Sequence, residues 1–174
     1  KRDERFTVIV GNPPYSSVSQ NMGSAIWEMV NQYLILPTGP IKERSNRNHL
    51  QDDYVKFLRI AQGHVEASGI GLVGMITNSS YLSGAWYRGM RFHLLSALPQ
   101  VEVVDLHGGK GFIRSAAVDD QNVFEIMQSV AIGLLCLSPT RRASVTYHEL
   151  LGSREAKYQR LLTGDLGLPR SLIP

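Results

Sequence analysis

The residues best equipped for chemistry are Asn12-Pro13-Pro14-Tyr15, set directly after Thr7-Val8-Ile9-Val10-Gly11. Neither proline has a backbone N–H, and each fixes φ at about −65°. Each also drives the residue before it toward extended geometry. Asn12 is therefore held in a stiff, extended turn. That turn offers, in fixed order, a side-chain amide, two carbonyls without competing N–H groups and an aromatic ring. Such a set suits a planar group with an exocyclic NH2. The Asn oxygen and the carbonyls accept its hydrogens, and the Tyr15 ring lies against its face. The plainer alternative is a structural turn, because Asn-Pro is a common turn dipeptide and a following Tyr often closes the edge of a core. The strand on its amino side shifts the balance toward function.

That strand is the first of the positioning elements. Val8, Ile9 and Val10 form a β-branched run that reads as buried, and ligands of open α/β sheets bind beyond the carboxyl ends of strands. After a polar loop at 16–23, Ser24 opens a helix to about Leu36, with Ile26, Val30, Tyr33 and Leu34 on one face; Pro37, Gly39 and Pro40 end it. Lys42, Arg44 and Arg47 mark a basic loop, either simply solvated or in contact with phosphates. The clearest helix spans 50–67, where Leu50, Tyr54, Phe57, Leu58, Ala61 and Val65 recur at three- and four-residue steps. Asp52 and Asp53 in its first turn complement the helix dipole rather than act as catalysts.

A second strand is expected at 72–77, ending in Asn78-Ser79-Ser80, whose small polar groups are expected to face the same pocket as Asn12. The G-x-G-x-x-G match at 69–74 enters this strand instead of following one and opening a helix, so it is not a nucleotide fingerprint. A helix at 87–98 and a third strand at 101–106 follow. The loop with Gly108, Gly109 and Gly111 lacks the ending of a phosphate-binding loop. A fourth strand at 130–137 is expected to pair antiparallel with the third as an edge hairpin. A short helix at 153–162 and a linker complete the chain. Strand–helix alternation predicts an α/β sheet covered by helices, half of a doubly wound fold.

Composition sets wide bounds. The 174 residues are 43% hydrophobic and 19% charged, enough for one domain with a core. A net charge of +3 permits contact with nucleic acid without demanding it. Cys136 stands alone in an apolar run, which excludes a disulfide framework and a thiol–metal site. The five histidines show no close ligand pairing and no Ser stands in a nucleophile elbow, so zinc and serine-hydrolase chemistry are not expected. No apolar run approaches the roughly 18 residues of a membrane span, and no membrane partner is expected. The start at Lys1, without Met, reads as an excerpt from a longer polypeptide.

Four blocks, in order, carry a resemblance. They are Val8 to Tyr15; Asn48 to Gln62; Gly71 to Leu82 with Tyr87 to Arg91; and Asp105 to Gly108 with Asn122 to Gly133. The tail from Tyr147 to Tyr158 fits as well. Together they resemble the N6-adenine DNA methyltransferase region of single-polypeptide (type ISP) restriction–modification enzymes. The resemblance implies a partial class I (Rossmann-like) S-adenosylmethionine-dependent methyltransferase sheet with flanking helices and a terminal antiparallel hairpin. It assigns 1–150 to the C-terminal half of the methyltransferase domain, and 151–174 to a short helix and linker toward a target-recognition region. It makes Asn12, Pro13, Pro14 and Tyr15 the catalytic turn, with Asn12 and Pro13 also meeting the cofactor. Phe124, in Asn-Val-Phe, matches the family's second aromatic wall. The implied partners are double-stranded DNA with a flipped adenine and the remaining domains of the parent polypeptide, in the bacterial cytoplasm. The family's Gly-rich S-adenosylmethionine loop has no counterpart in this sequence, so these residues alone are expected to be inactive. Two other readings stay open: a protein-glutamine or RNA methyltransferase sharing the turn, and a non-catalytic module that packs within a restriction enzyme.

Overall fold

A computed structural model describes residues 7–15, 23–42, 48–109 and 119–172. In chain order its elements are β1 (Val8–Gly11), α1 (Ser24–Asn31) continuing into a 3-10 turn (Gln32–Leu34), β2 (Ile35–Leu36), β3 (Gly39–Pro40), α2 (Asp53–Ser68), β4 (Gly71–Asn78), α3 (Ser80–Ser83), a 3-10 turn (Ala85–Tyr87), α4 (Arg88–Ala97), β5 (Gln100–His107), β6 (Val130–Leu137), β7 (Ser144–Glu149), α5 (Arg154–Thr163) and β8 (Arg170–Leu172). Arg44 and Arg47 of the basic loop lie outside the described residues.

Six strands form one sheet in the order β1-β4-β6-β5-β7-β8, and β2 and β3 form a separate two-stranded piece. β1 runs parallel to β4 and β5 parallel to β7, while β6 is antiparallel to both β4 and β5. The expected antiparallel pairing of the third and fourth strands is thus present, but not at an edge. β6 is inserted between β4 and β5, near the middle of the sheet. Its sequence, Val-Ala-Ile-Gly-Leu-Leu-Cys-Leu, has the near-continuous apolar character of a strand covered on both faces. Only the partners on both sides reveal that position, which a local pattern does not encode.

Alternation sorts the side chains of each central strand onto two faces. One face carries Val73, Met75 and Leu135 into a core with α1, α2 and α4, centred on Val30, Tyr54, Leu58, Met90 and Leu94. The other carries Val104, Leu106 and Val130, with Leu150 behind them, against α5 and the 119–129 loop. Helix α1 is shorter than expected, and Phe57 of α2 is 47% exposed although its spacing matched the apolar face. α2 ends at Gly69, whose φ of +75° lets its N–H return to the carbonyls of Val65 and Glu66. This glycine opens the G-x-G-x-x-G match, and it serves a helix end. Beyond residue 150 the chain stays on the sheet: α5 packs on the second core through Leu161, and β8 pairs antiparallel with β7.

Candidate active site

Parallel pairing sets Gly11 opposite Met75, while β4 runs on to Asn78. The chain therefore leaves the sheet at Asn12, short of the carboxyl end of its neighbour. Asn12 and Pro14 are exposed, Pro13 is buried and Tyr15 is half-buried. Tyr15 packs against the second core, on the side that carries Ile76, Ile132 and Phe124. Its ring centroid lies 5.8 Å from that of Phe124, with the planes tilted by 52°. That is the spacing of aromatic rings in direct contact. A planar group enters between them only as the rings part. Among the described residues the buried Tyr15 hydroxyl has no hydrogen-bond partner, and burial pushes its phenol up to about 12. The structure thus brings together two residues, Tyr15 and Phe124, drawn from opposite parts of the sequence, at the turn that also holds the exposed Asn12.

Phe124 sits in an irregular loop that its own side chains order. Asn122 accepts from the Phe124 N–H at 2.9 Å and donates through Nδ2 to the carbonyls of Ile126 and Gln128, at 3.2 and 2.7 Å. Asp120 accepts from the N–H groups of Gly108 and Gly152 at 2.9 and 3.1 Å. Gly108 has φ +82°, and a side chain there would run into the Asn122 backbone. Gly108 therefore lets two backbones meet.

A separate concavity lies elsewhere. A cavity of about 710 Å3 opens on the opposite face of β5, β6 and β7. Asn78, Ser79 and Ser80 line it, and among its described lining residues are neither Asn12 nor Tyr15. The expectation that this tripeptide shares a pocket with Asn12 is therefore corrected. Asn78 instead accepts from the Ser80 N–H at 2.8 Å and starts α3. A polar group not foreseen from the sequence gathers on this face. His107 Nε2 lies 2.9 Å from Glu149 Oε1, and the Tyr147 hydroxyl donates to Asp105 at 2.9 Å. His107 has φ +50°, and its N–H returns to Asp105 Oδ1. Reading the alternation of Val145, Tyr147 and Glu149 as a strand parallel to β5 would have found it. Among the described residues no group of three or more His, Cys, Asp or Glu side chains is disposed to hold a metal ion, and no helix is long and apolar enough to cross a membrane.

A strand that ends in Asn-Pro-Pro-Tyr, in a sheet with one antiparallel strand inserted between parallel ones, defines the class: this is part of a class I methyltransferase sheet with flanking helices. The chain belongs to the Eco57I restriction-modification methylase family, whose model matches residues 1–112. No curated protein matches the chain. Among solved structures, it is similar to the ATP-dependent Type ISP restriction-modification enzyme LlaBIII bound to DNA, with 27% identity and a TM-score of 0.78 over 97% of this chain. A nuclease-deletion mutant of the Type ISP enzyme LlaGI, in complex with a DNA substrate mimic, shares the fold at 21% identity and a TM-score of 0.81 over 98% of this chain. The DrdV–DNA complex does so at 21% and 0.75 over 99%. The chain spans only 12%, 15% and 18% of those three chains, respectively.

Proposed function

We propose that this chain carries the base-binding turn of an adenine-N6 DNA methyltransferase that uses S-adenosylmethionine and forms part of a larger restriction–modification enzyme. The observation that carries this reading is the Tyr15–Phe124 ring pair, at a turn whose exposed Asn12 stands three residues before Tyr15. Two rings meeting at the carboxyl end of β1 are equipment for holding a flat base on both faces. The amide supplies an acceptor at the base edge.

The residues present fit the cofactor at one end. Asn12 is exposed beside β1, where Val8 and Val10 are 61% and 75% exposed, so described residues leave that side open. Asn12 and Pro13 would hold the methyl-bearing end. When bound, S-adenosylmethionine supplies an electrophilic methyl group on a sulfonium. The remaining chemistry belongs to this chain. The adenine N6 lone pair is delocalised into the ring and makes a poor nucleophile. Asn12 Oδ1 and the Pro13 carbonyl accept its two hydrogens, which draws the nitrogen toward tetrahedral geometry and frees the lone pair for in-line attack. Pro14 restricts Pro13 to extended geometry, which fixes the direction of the Pro13 carbonyl. The base must first leave the duplex, at a cost of a few kcal/mol, and stacking on Tyr15 and Phe124 holds it outside.

Asn12→Ala in the intact enzyme tests the assignment. Methyl incorporation into duplex DNA should fall by about a hundredfold or more, the usual effect of removing one preorganised polar group from a transition state, with DNA affinity little changed. Near-normal turnover would overturn the assignment. Product analysis in the same assay separates adenine from cytosine, and parallel incubations with RNA and protein separate the substrate classes.

A further inference from the structure

Four consecutive backbone carbonyls in the loop before β6 are held by side chains of one helix. Lys157 Nζ donates to Gln121 O at 2.6 Å, Arg154 Nε to Asn122 O at 2.9 Å, the Tyr158 hydroxyl to Val123 O at 2.6 Å, and Arg154 Nη2 to Phe124 O at 3.4 Å. These three residues stand at i, i+3 and i+4 on α5, which is the spacing of one helix face. Lys157 is fully buried; it also donates to Leu106 O at 2.6 Å and pairs with Asp120 Oδ1 at 2.6 Å. Through Lys157 the loop is tied to the end of β5, and through Arg154 and Tyr158 to α5 itself. The helix is in turn fixed at its start, where Ser153 Oγ accepts from the Ala156 N–H and Gln121 N–H donates to Gly152 O.

An irregular loop has no ladder to satisfy its carbonyls, so the donors that do so also set its shape. Here every carbonyl from 121 to 124 is oriented from α5, and the side chain thereby aimed at Tyr15 is Phe124. We propose that α5 is the positioning helix of the aromatic pair: Arg154, Lys157 and Tyr158 fix the Phe124 wall, although none of them reaches the base. The inference rests on the reading of Phe124 as a base-stacking wall. It adds that the strength of that wall is set by a helix whose first residue lies 30 positions further along the chain.

The test uses the intact enzyme and a duplex carrying its own target, mapped by sequencing methylated bases in host DNA. Phe124→Ala, Tyr158→Phe and Arg154→Met are compared at saturating DNA in single-turnover methylation. The target adenine is either correctly paired or set opposite a mispaired base, which lowers the cost of flipping. Tyr158→Phe removes one hydroxyl and keeps the ring. It should slow transfer about threefold to tenfold, the weight of one hydrogen bond, with duplex affinity unchanged, and the mispaired target should restore most of that loss. Arg154→Met should lose more, and Arg154→Lys, which keeps one donor, should recover part of it. If Phe124→Ala is slow but the α5 variants transfer at the parent rate, the positioning role is overturned and the wall stands. If the α5 variants are slow on both duplexes, with a lowered melting temperature, the helix is only structural and the proposal also fails. If Phe124→Ala itself transfers at the parent rate, the wall reading falls and takes this inference with it.

Discussion

Tyr15 holds its phenol oxygen buried, without a hydrogen-bond partner among the described residues, while its ring packs on Phe124. An unsatisfied buried hydroxyl costs stability, on the order of 1 kcal/mol or more, so Tyr15→Phe should leave the melting temperature unchanged or raise it. The same variant should keep most methylation, since stacking needs the ring and not the hydroxyl. Tyr15→Ala removes the ring and should cut the rate by about tenfold to a hundredfold, the weight of one base–aromatic stack. A second residue sets a pH dependence. Asp52 stands half-buried at the start of α2, and burial raises its carboxyl from 3.8 to about 6; its hydrogen bond from Tyr87 and the nearby His49 and Lys56 oppose the shift. A carboxyl raised in the folded state stabilises the fold most when protonated. Its contribution is fully present below about 4 and lost as pH rises through about 6. Asp52→Asn should therefore melt higher than the parent at pH 7.5, and the difference should shrink toward pH 4. An advantage that persists unchanged at low pH would refute this assignment. The place of Asn12, exposed just past the end of β1, was legible in the sequence because its neighbours Pro13 and Pro14 restrict it locally. His107 was not, because its partners Asp105 and Glu149 adjoin it only through the pairing of β5 with β7.

At the scale of elements, α5 shows most clearly what a sequence conceals. Its limits were legible, from 153–162 expected to 154–163 found, because Ser153 is a good cap and Gly164 a good stop. Lys157 was not, since a lysine in a charged helix ordinarily points to water. Here it is buried, and the reason lies in Asp120 and in two carbonyls of other segments. Lys157→Met should cost about 3–5 kcal/mol in denaturant unfolding, because it leaves Asp120 and its companions without their charge partner. A loss below about 1 kcal/mol would mean that the pair contributes little. The strands divide in the same way. β4 and β6 are apolar enough to read directly, whereas β7, Ser-Val-Thr-Tyr-His-Glu, spreads its polar residues over both faces, and β8 has three residues. Phe57 failed the periodic test because a three-residue step from Tyr54 carries it past the edge of the buried stripe, while Leu58 stays within it.

At the scale of the molecule, the class of fold followed from strand–helix alternation, but the order of the strands did not. Nothing local to residues 130–137 says that they lie between 71–78 and 100–107. That order has a consequence for how the chain comes to exist. During synthesis β1, β4 and β5 emerge first, and the strand that joins β4 to β5 follows only after Ser129. Until then the sheet is two separate pieces, and its closing contacts are among the most distant in sequence, which are slow to form. Tyr15 and Phe124 share a floor that includes Val130 and Ile132. The two rings therefore acquire a common support in the same step that joins the halves of the sheet. Until β6 is inserted, the Asn-Pro-Pro-Tyr turn and Phe124 lack that shared support, so the ring pair is completed late in folding.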